Sequence, residues 1–304
     1  MAIELVFKRG VHTWQFNVDN GGYSGITMYL MGSVNWGLPP ITRITQRGPF
    51  QDGDTDIDYR LNPRIINLPI LVPGTSYQQF ASNRENLLQM FKPGNDTATL
   101  RQTMDPDNPF PEYVFSRSID VKIAGATMDS SPTDFNVRAV IQLRADDPTW
   151  YNTTQNVLQL TYTQFGTPTP YPKPYPVPYG AASVNNQLGV VYTGTVVSYP
   201  FLQCIGPLDN LVIADGAGRL ISFTTAIPAG SIWTVDLRYG QKTVTDQNGV
   251  SKFQYLSIGS DIVNWGLYPD PFFDSGQNPL SVSATGTTNV SMVNMYWYDR
   301  YAGI

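Results

Sequence analysis

The chain has 304 residues, a formal net charge of −5 and a sequence pI near 4.8, with no basic block anywhere along it. Acidity shared by both halves argues against a surface that grips phosphate backbones. One cysteine, Cys204, excludes an intramolecular disulfide framework, no apolar stretch approaches transmembrane length, and MAIELVFKRG lacks the apolar core of a secretory signal. The expectation is a soluble protein, made in a reducing cytoplasm, without membrane insertion.

Strands are predicted near 3–8 and 12–18. His12, the sole histidine, falls in the second of these, so any Ser-His-Asp or Cys-His arrangement would have to be built on it, and strand packing is the plainer reading. One histidine and one cysteine cannot make a zinc site, and the glycine-rich DNGGYSG and ADGAGR match neither a phosphate loop nor a dinucleotide fingerprint. No cofactor is predicted.

After a strand at 41–47 comes GPFQDGDTDIDYR (Gly48–Arg60), with Asp52, Asp54, Asp56 and Asp58 at every second position. A calcium loop would need Gly at its sixth position and Glu at its twelfth. Counted from Asp52 these are Ile57 and Pro63; counted from Asp54 they are Tyr59 and Ile65. Neither register fits, and no metal is assigned. An extended segment with its four carboxylates on one face is the simpler reading.

A strand at 64–72 leads into TSYQQFASNRENLLQMFKPG (Thr75–Gly94). Its Thr/Ser start, the near-helical spacing of Phe80, Leu87, Leu88 and Phe91, and the Lys92-Pro93-Gly94 stop predict a helix. Strands near 97–103, 113–125 and 134–145 follow, and RADDPTWY closes the first half. TPTPYPKPYPVPYG then places proline at every second residue from Pro168 to Pro178. Each proline fixes its own φ and pushes the preceding residue to extended backbone, giving a semi-stiff strut of about 34 Å. It reads as an interdomain linker rather than a ligand for a proline-reading domain, which prefers the PxxP period.

The second half reads as strands throughout, from VVSYPFLQCI to VSMVNMYWYDRY. Asn248-Gly249 between KTVTDQ and VSKFQYL predicts a two-residue hairpin turn with positive φ at both positions. This half is expected to be an antiparallel β-sandwich. Cys204, in the apolar YPFLQCIG, is expected in its core. Asp299 and the acids of DPDNPFPE are the carboxylates on which a glycosidase would be built, but no spacing supports that role. Tyr296, Trp297, Tyr298 and Tyr301 read first as strand packing and second as a sugar-stacking platform.

In their order and spacing, GPFQDGD (Gly48–Asp54), YRLNPRIINLPILVPG (Tyr59–Gly74), NRENLLQMFKPG (Asn83–Gly94), RADDPTWY (Arg144–Tyr151) and YWYDRYAG (Tyr296–Gly303) resemble the distal tail (Dit) proteins of long-tailed bacteriophages. The resemblance spans nearly the whole chain. It implies a mainly β protein: a ring-forming, tail-tube-like β domain with one helix over residues 1–160, a Pro/Tyr-rich linker over 161–186 and a galectin-like antiparallel β-sandwich over 187–304. AIPAGSIWTVDLRYGQKTVTDQNG would belong to that sandwich.

The function implied is structural and non-enzymatic: a homo-hexameric ring at the distal end of the tail, joining tail tube to tail tip or baseplate. Its implied partners are the tail tube protein and the tail tip hub protein, with tape-measure and receptor-binding proteins as further candidates. DNA would pass through without specific binding. The protein would assemble in the host cytoplasm and reside in the virion.

On this resemblance Asp52, Asp54, Asp56, Asp58, Arg60 and Arg64 are the candidate subunit-interface or channel residues. The acids would either repel passing phosphates or pair with Arg60, Arg64 or a neighbour's arginines. The linker is longer and stiffer than the family pattern. WGLYPDPFFDSGQNP (Trp265–Pro279) resembles a grafted contact loop, with Trp265, Tyr268, Phe272 and Phe273 as candidate partner contacts. The alternative function is carbohydrate or receptor binding through the C-terminal sandwich.

Overall fold

The structure, a computed structural model, describes residues 3–17, 27–31, 34, 36–104, 114–129, 135–161 and 183–304. It divides into two compact units, Met1–Thr153 with Tyr301–Ile304, and Thr154–Arg300.

The first unit runs through β1 (Ile3–Arg9), β2 (His12–Gln15), β3 (Tyr29–Leu30), β4 (Ile41–Gln46), β5 (Thr55–Leu61), β6 (Arg64–Val72), the helix α1 (Tyr77–Met90), β7 (Ala98–Met104), β8 (Phe115–Met128), β9 (Val137–Ala145) and β10 (Trp150–Asn152). Its main sheet is antiparallel, in the order β2-β1-β7-β8-β9-β6-β3, with β10 beside β8. Strand alternation sets its inner face. In RIINLPILV, Ile66, Leu68, Ile70 and Val72 are buried while Ile65 and Asn67 face out. Each fully buried side chain of this size contributes roughly 1.5–3 kcal/mol.

The α1 helix covers that face. Ser76 caps it by accepting from the Gln79 amide, and Phe80, Asn83 and Leu87 are its buried residues. Phe91, just beyond the helix, packs on Phe7 with ring centroids 5.2 Å apart. Leu88, predicted on the inner face, is half exposed, because one step past Leu87 is about 100° around the helix. Asn83 takes the inner position at that turn instead, its amide donating to the Pro73 carbonyl at 2.9 Å.

β4 and β5 form their own two-stranded sheet, apart from the main one.

The second unit contains β11 (Asn156–Thr161), β12 (Ser183–Val191), β13 (Phe201–Ile205), β14 (Asp209–Ala214), β15 (Leu220–Ser222), β16 (Ile232–Asp236), β17 (Thr243–Asp246), β18 (Gln277–Thr285) and β19 (Met292–Trp297). Two antiparallel sheets, β11-β19-β13-β16-β17 and β12-β18-β14-β15, share one core. Leu202, Cys204, Val235 and Met295 come from one sheet, and Leu211, Ile213, Leu280 and Val282 from the other. The predicted antiparallel sandwich is what forms.

Three local expectations differ from the structure. Residues Asn156–Thr161, expected at the end of the first domain and the start of the linker, form β11 and pair with β19 in the sandwich, so the chain from β11 to β12, Pro168–Pro178 included, joins two strands of the second unit rather than the two units. Around Asn248-Gly249 only Gly249 has positive φ, +77°. The Gly249 amide bonds to the Asp246 carbonyl and the Asp246 amide to that of Val250, so the loop has three residues and ends in a glycine bulge. Asp246 enforces this by accepting from the amides of Asn248 and Val250. The strand expected after the loop is a 3-10 turn at Phe253–Tyr255. The prolines of Pro168–Pro178 and the acids of DPDNPFPE lie outside the described residues.

Candidate functional site

The acidic row sits on the β4–β5 arm. Asp56, Asp58 and Arg60 alternate along β5 with Ile57, Tyr59 and Leu61, so β5 has a charged side and an apolar side, with Arg43 of β4 opposite Tyr59 and Ile44 opposite Asp58. Asp54 precedes the strand and Asp52 lies in the turn. All four carboxylates are exposed and spread along the arm rather than converging. Arg47 Nε reaches Asp54 Oδ1 at 2.7 Å, and Arg43 Nη1 reaches Asp56 Oδ2 at 2.7 Å. Asp58 Oδ1 accepts from the Tyr59 amide. Exposed surface pairs of this kind contribute little to stability, about 0–1 kcal/mol each. The apolar side carries Ile57, 59% exposed, and Tyr59, 56% exposed, with Ile41 from β4 beside them. A two-stranded ribbon with both sides in water is marginal by itself.

Arg64 does not belong with that row. Asn62-Pro63 ends the arm, and Arg64 turns inward, only 3% exposed. Its guanidinium donates to the carbonyls of Pro148 at 3.1 Å, Gly37 at 2.6 Å and Ala302 at 2.6 Å, and lies 6.0 Å from the Trp150 ring. Burial pulls its pKa down. It clamps three segments of the first unit and is buried away from the exposed Asp52–Asp58, which corrects the reading from sequence. Arg60 stays exposed on the arm, opposite Thr42.

Arg117 performs a similar task that sequence reasoning missed. It donates to the Gly303 carbonyl and lies 3.6 Å over the Tyr301 ring. Together Arg64 and Arg117 explain why YAG belongs to the first unit although it follows the sandwich in sequence. Nothing local announces these contacts, which link positions 186 and 238 residues apart.

In the sandwich, the four candidate contact aromatics separate. Trp265 is fully buried in the core, which removes it as a contact residue. Tyr268 stacks on Phe272 with centroids 4.6 Å apart, and Phe273 packs edge-on against both. Arg219 lies over the Tyr268 ring at 4.4 Å and bonds its hydroxyl. The buried Asn278 side chain holds the loop at both ends, accepting from the Tyr268 amide and donating to the carbonyls of Tyr268 and Gly276. Phe272, about half exposed, is what this rigid loop presents to solvent.

The residues weighed for chemistry are engaged structurally. Cys204 is fully buried, and burial pushes its thiol up to about 12. Asp299, 6% exposed, accepts from the Trp297 indole at 3.2 Å and the Thr193 hydroxyl at 2.8 Å. Trp297 points into the sandwich core. His12 sits on β2 with its ring 5.7 Å from that of Trp14. Among the described residues no helix is long and apolar enough to cross a membrane.

No family model matches the sequence, and no curated protein matches it. Solved structures do. The Dit protein (gp 19.1) of phage SPP1, described as a paradigm of the hub adsorption apparatus in phages infecting Gram-positive bacteria, aligns with a TM-score of 0.60 at 13% identity, covering 98% of both chains. A chain of the phage P2 baseplate in its activated conformation with Ca gives 0.46 at 12% identity over 100% of both chains. The chain therefore has, along nearly its whole length, the mainly β fold of a phage Dit protein.

Proposed function

We propose that this chain is a structural, non-enzymatic component of a phage tail, a hexameric ring subunit that joins the tail tube to the tail tip or baseplate and leaves a channel for DNA. The observation that carries the reading is the end-to-end likeness of fold to SPP1 Dit, which takes in both units rather than one common β module. The β4–β5 arm adds support, since its apolar side needs a protein neighbour. The arm acids then form part of the surface between subunits, and the first unit makes the ring. The tail tube protein and the tail tip hub protein are the neighbours this role requires, and the virion is its location. Cys204 and Asp299 fit this role, since both are committed to the fold rather than offered to a substrate.

The test is the mass of the purified protein by sedimentation, with electron microscopy of the peak. Sixfold particles with a central hole are expected. A monomer at high concentration would count against the ring. One observation favours a second reading, receptor or glycan binding by the sandwich: Phe272 is held outward on a loop fixed by Asn278. Binding of host polysaccharide that Phe272→Ala abolishes would support it.

A further inference from the structure

We propose that the tip of the β4–β5 arm seats Phe50 of one copy in the cleft between the β1–β2 turn and α1 of the next copy. This deepens the ring reading and rests on it. Phe50 is fully solvent-exposed, at 108%, and holds φ of +64°, a conformation that bulky residues rarely adopt. The turn that imposes this is tied throughout. The Gln51 amide donates to the Gly48 carbonyl at 3.2 Å, the Gln51 side chain accepts from the Gly48 amide at 3.0 Å and donates to Thr55 Oγ1 at 2.8 Å, and Arg47 bonds Asp54 at 2.7 Å. A large ring is thus displayed by a rigid support with nothing of its own to pack on.

The cleft has the complementary character. Its volume is about 450 Å³, room for a phenyl ring and its flanking backbone, and Val11, Trp14 and Met90 supply the apolar wall. Val11 is 91% exposed there. One rim is fixed by Arg9, which donates to the Met90 and Lys92 carbonyls at the end of α1 and to Asp96. Charge agrees as well. The tip carries Asp52 and Asp54 against Arg47, while the rim carries Arg9 and Lys92 against Asp96. Among the described residues, Asp52 and Lys92 have no ion-pair partner within their own chain. Knob and cleft are different surfaces of one unit, so their contact is head-to-tail, the class that closes into rings. A buried aromatic anchor is the usual energetic centre of such a contact.

The test compares the parent, Phe50→Asp, Val11→Arg and a one-to-one mixture of the two variants by sedimentation velocity over a concentration series, with circular dichroism confirming that each is folded. Each variant alone should lose the ring, with association per contact weakened on the order of 10- to 100-fold. The mixture should form pairs and nothing larger, because only the knob of the Val11→Arg copy and the cleft of the Phe50→Asp copy remain intact. Variants that assemble like a ring-forming parent would overturn the knob and leave the ring reading standing. Separate loss without pairing in the mixture would overturn it too. A parent that stays monomeric at high concentration overturns both.

Discussion

Replacing Arg64 with Met should destabilise the first unit far more than any change on the exposed arm beside it. The methionine keeps most of the volume and the contact with Trp150 but removes every donor. The carbonyls of Pro148, Gly37 and Ala302 then lose the guanidinium that had met them at 3.1, 2.6 and 2.6 Å. An orphaned buried acceptor costs about 1–3 kcal/mol, and hydrogen bonds from a charged donor lie at the upper end. Against this stands the desolvation of the guanidinium, which the methionine variant no longer bears. No carboxylate is left behind as an uncompensated charge, so the net loss should be about 3 kcal/mol rather than the larger cost of breaking an ion pair. For a unit of this size that corresponds to a fall in Tm of roughly 10 °C. Arg64→Lys should lose about half as much, since one ammonium cannot span carbonyls on three segments. Calorimetry, which separates the transitions of two units, provides the measurement. A loss below about 1 kcal/mol for Met, or a Lys variant equal to the parent, would refute the clamp.

Three other outcomes follow from the same physical reasoning. The Arg9 guanidinium holds the Asp96 carboxyl down at about 2, so the stability this pair contributes is present above about pH 4 and lost as pH falls toward about 2; Asp96→Asn should melt below the parent near neutrality and converge with it in acid, and an NMR titration of Asp96 near its ordinary value would contradict this. Cys204, buried with its thiol pushed up to about 12, should resist a thiol reagent in mildly alkaline buffer and react fully once guanidinium unfolds the chain; rapid labelling of the native protein would show that the sandwich core opens. Asp54→Lys with Asp56→Lys should leave circular dichroism unchanged while making any ring fall apart more readily at low salt than at high, and identical sedimentation at all salts would sink the role of the arm in assembly.

Much of the fold was legible because its signals are local. RIINLPILV, an apolar run rich in β-branched residues, becomes β6 with the predicted limits, and the Ser76 cap with the Lys92-Pro93-Gly94 stop brackets α1. What escaped depends on partners distant in the chain. β11 reads as the tail of the first half because nothing in NVLQLT says which sheet it will join; only pairing with β19 decides. Arg64 looked like one more cation beside an acidic row, yet Asn62-Pro63 turns it toward carbonyls far away in sequence. Trp265 looked like part of an exposed loop because its neighbours are turn formers, but a tryptophan flanked by the buried Gly266 and Leu267 packs inward. The Asn248-Gly249 turn was placed correctly and typed wrongly, since Asp246 binds the amides of Asn248 and Val250 and thereby selects the longer loop.

The arm's charge balance weighs one use of the acidic row against the other. Between Ile41 and Leu61 the four aspartates are met by Arg43, Arg47 and Arg60, and two of the acids are already paired with arginines of the same arm. One net negative charge per copy, screened over about 8–10 Å at ordinary salt, is a weak repulsive wall for a polyanion. The apolar side is another matter. Ile57, Tyr59 and Ile41, together with Phe50 at the tip, expose large hydrophobic side chains on a ribbon with little to stabilise it alone. Covering even one such side chain contributes about 1.5–3 kcal/mol, more than an exposed ion pair supplies. In the proposed ring, burial against a neighbouring subunit would therefore outweigh repulsion of a passing polyanion, and the arm's charges would set register and keep it soluble before docking.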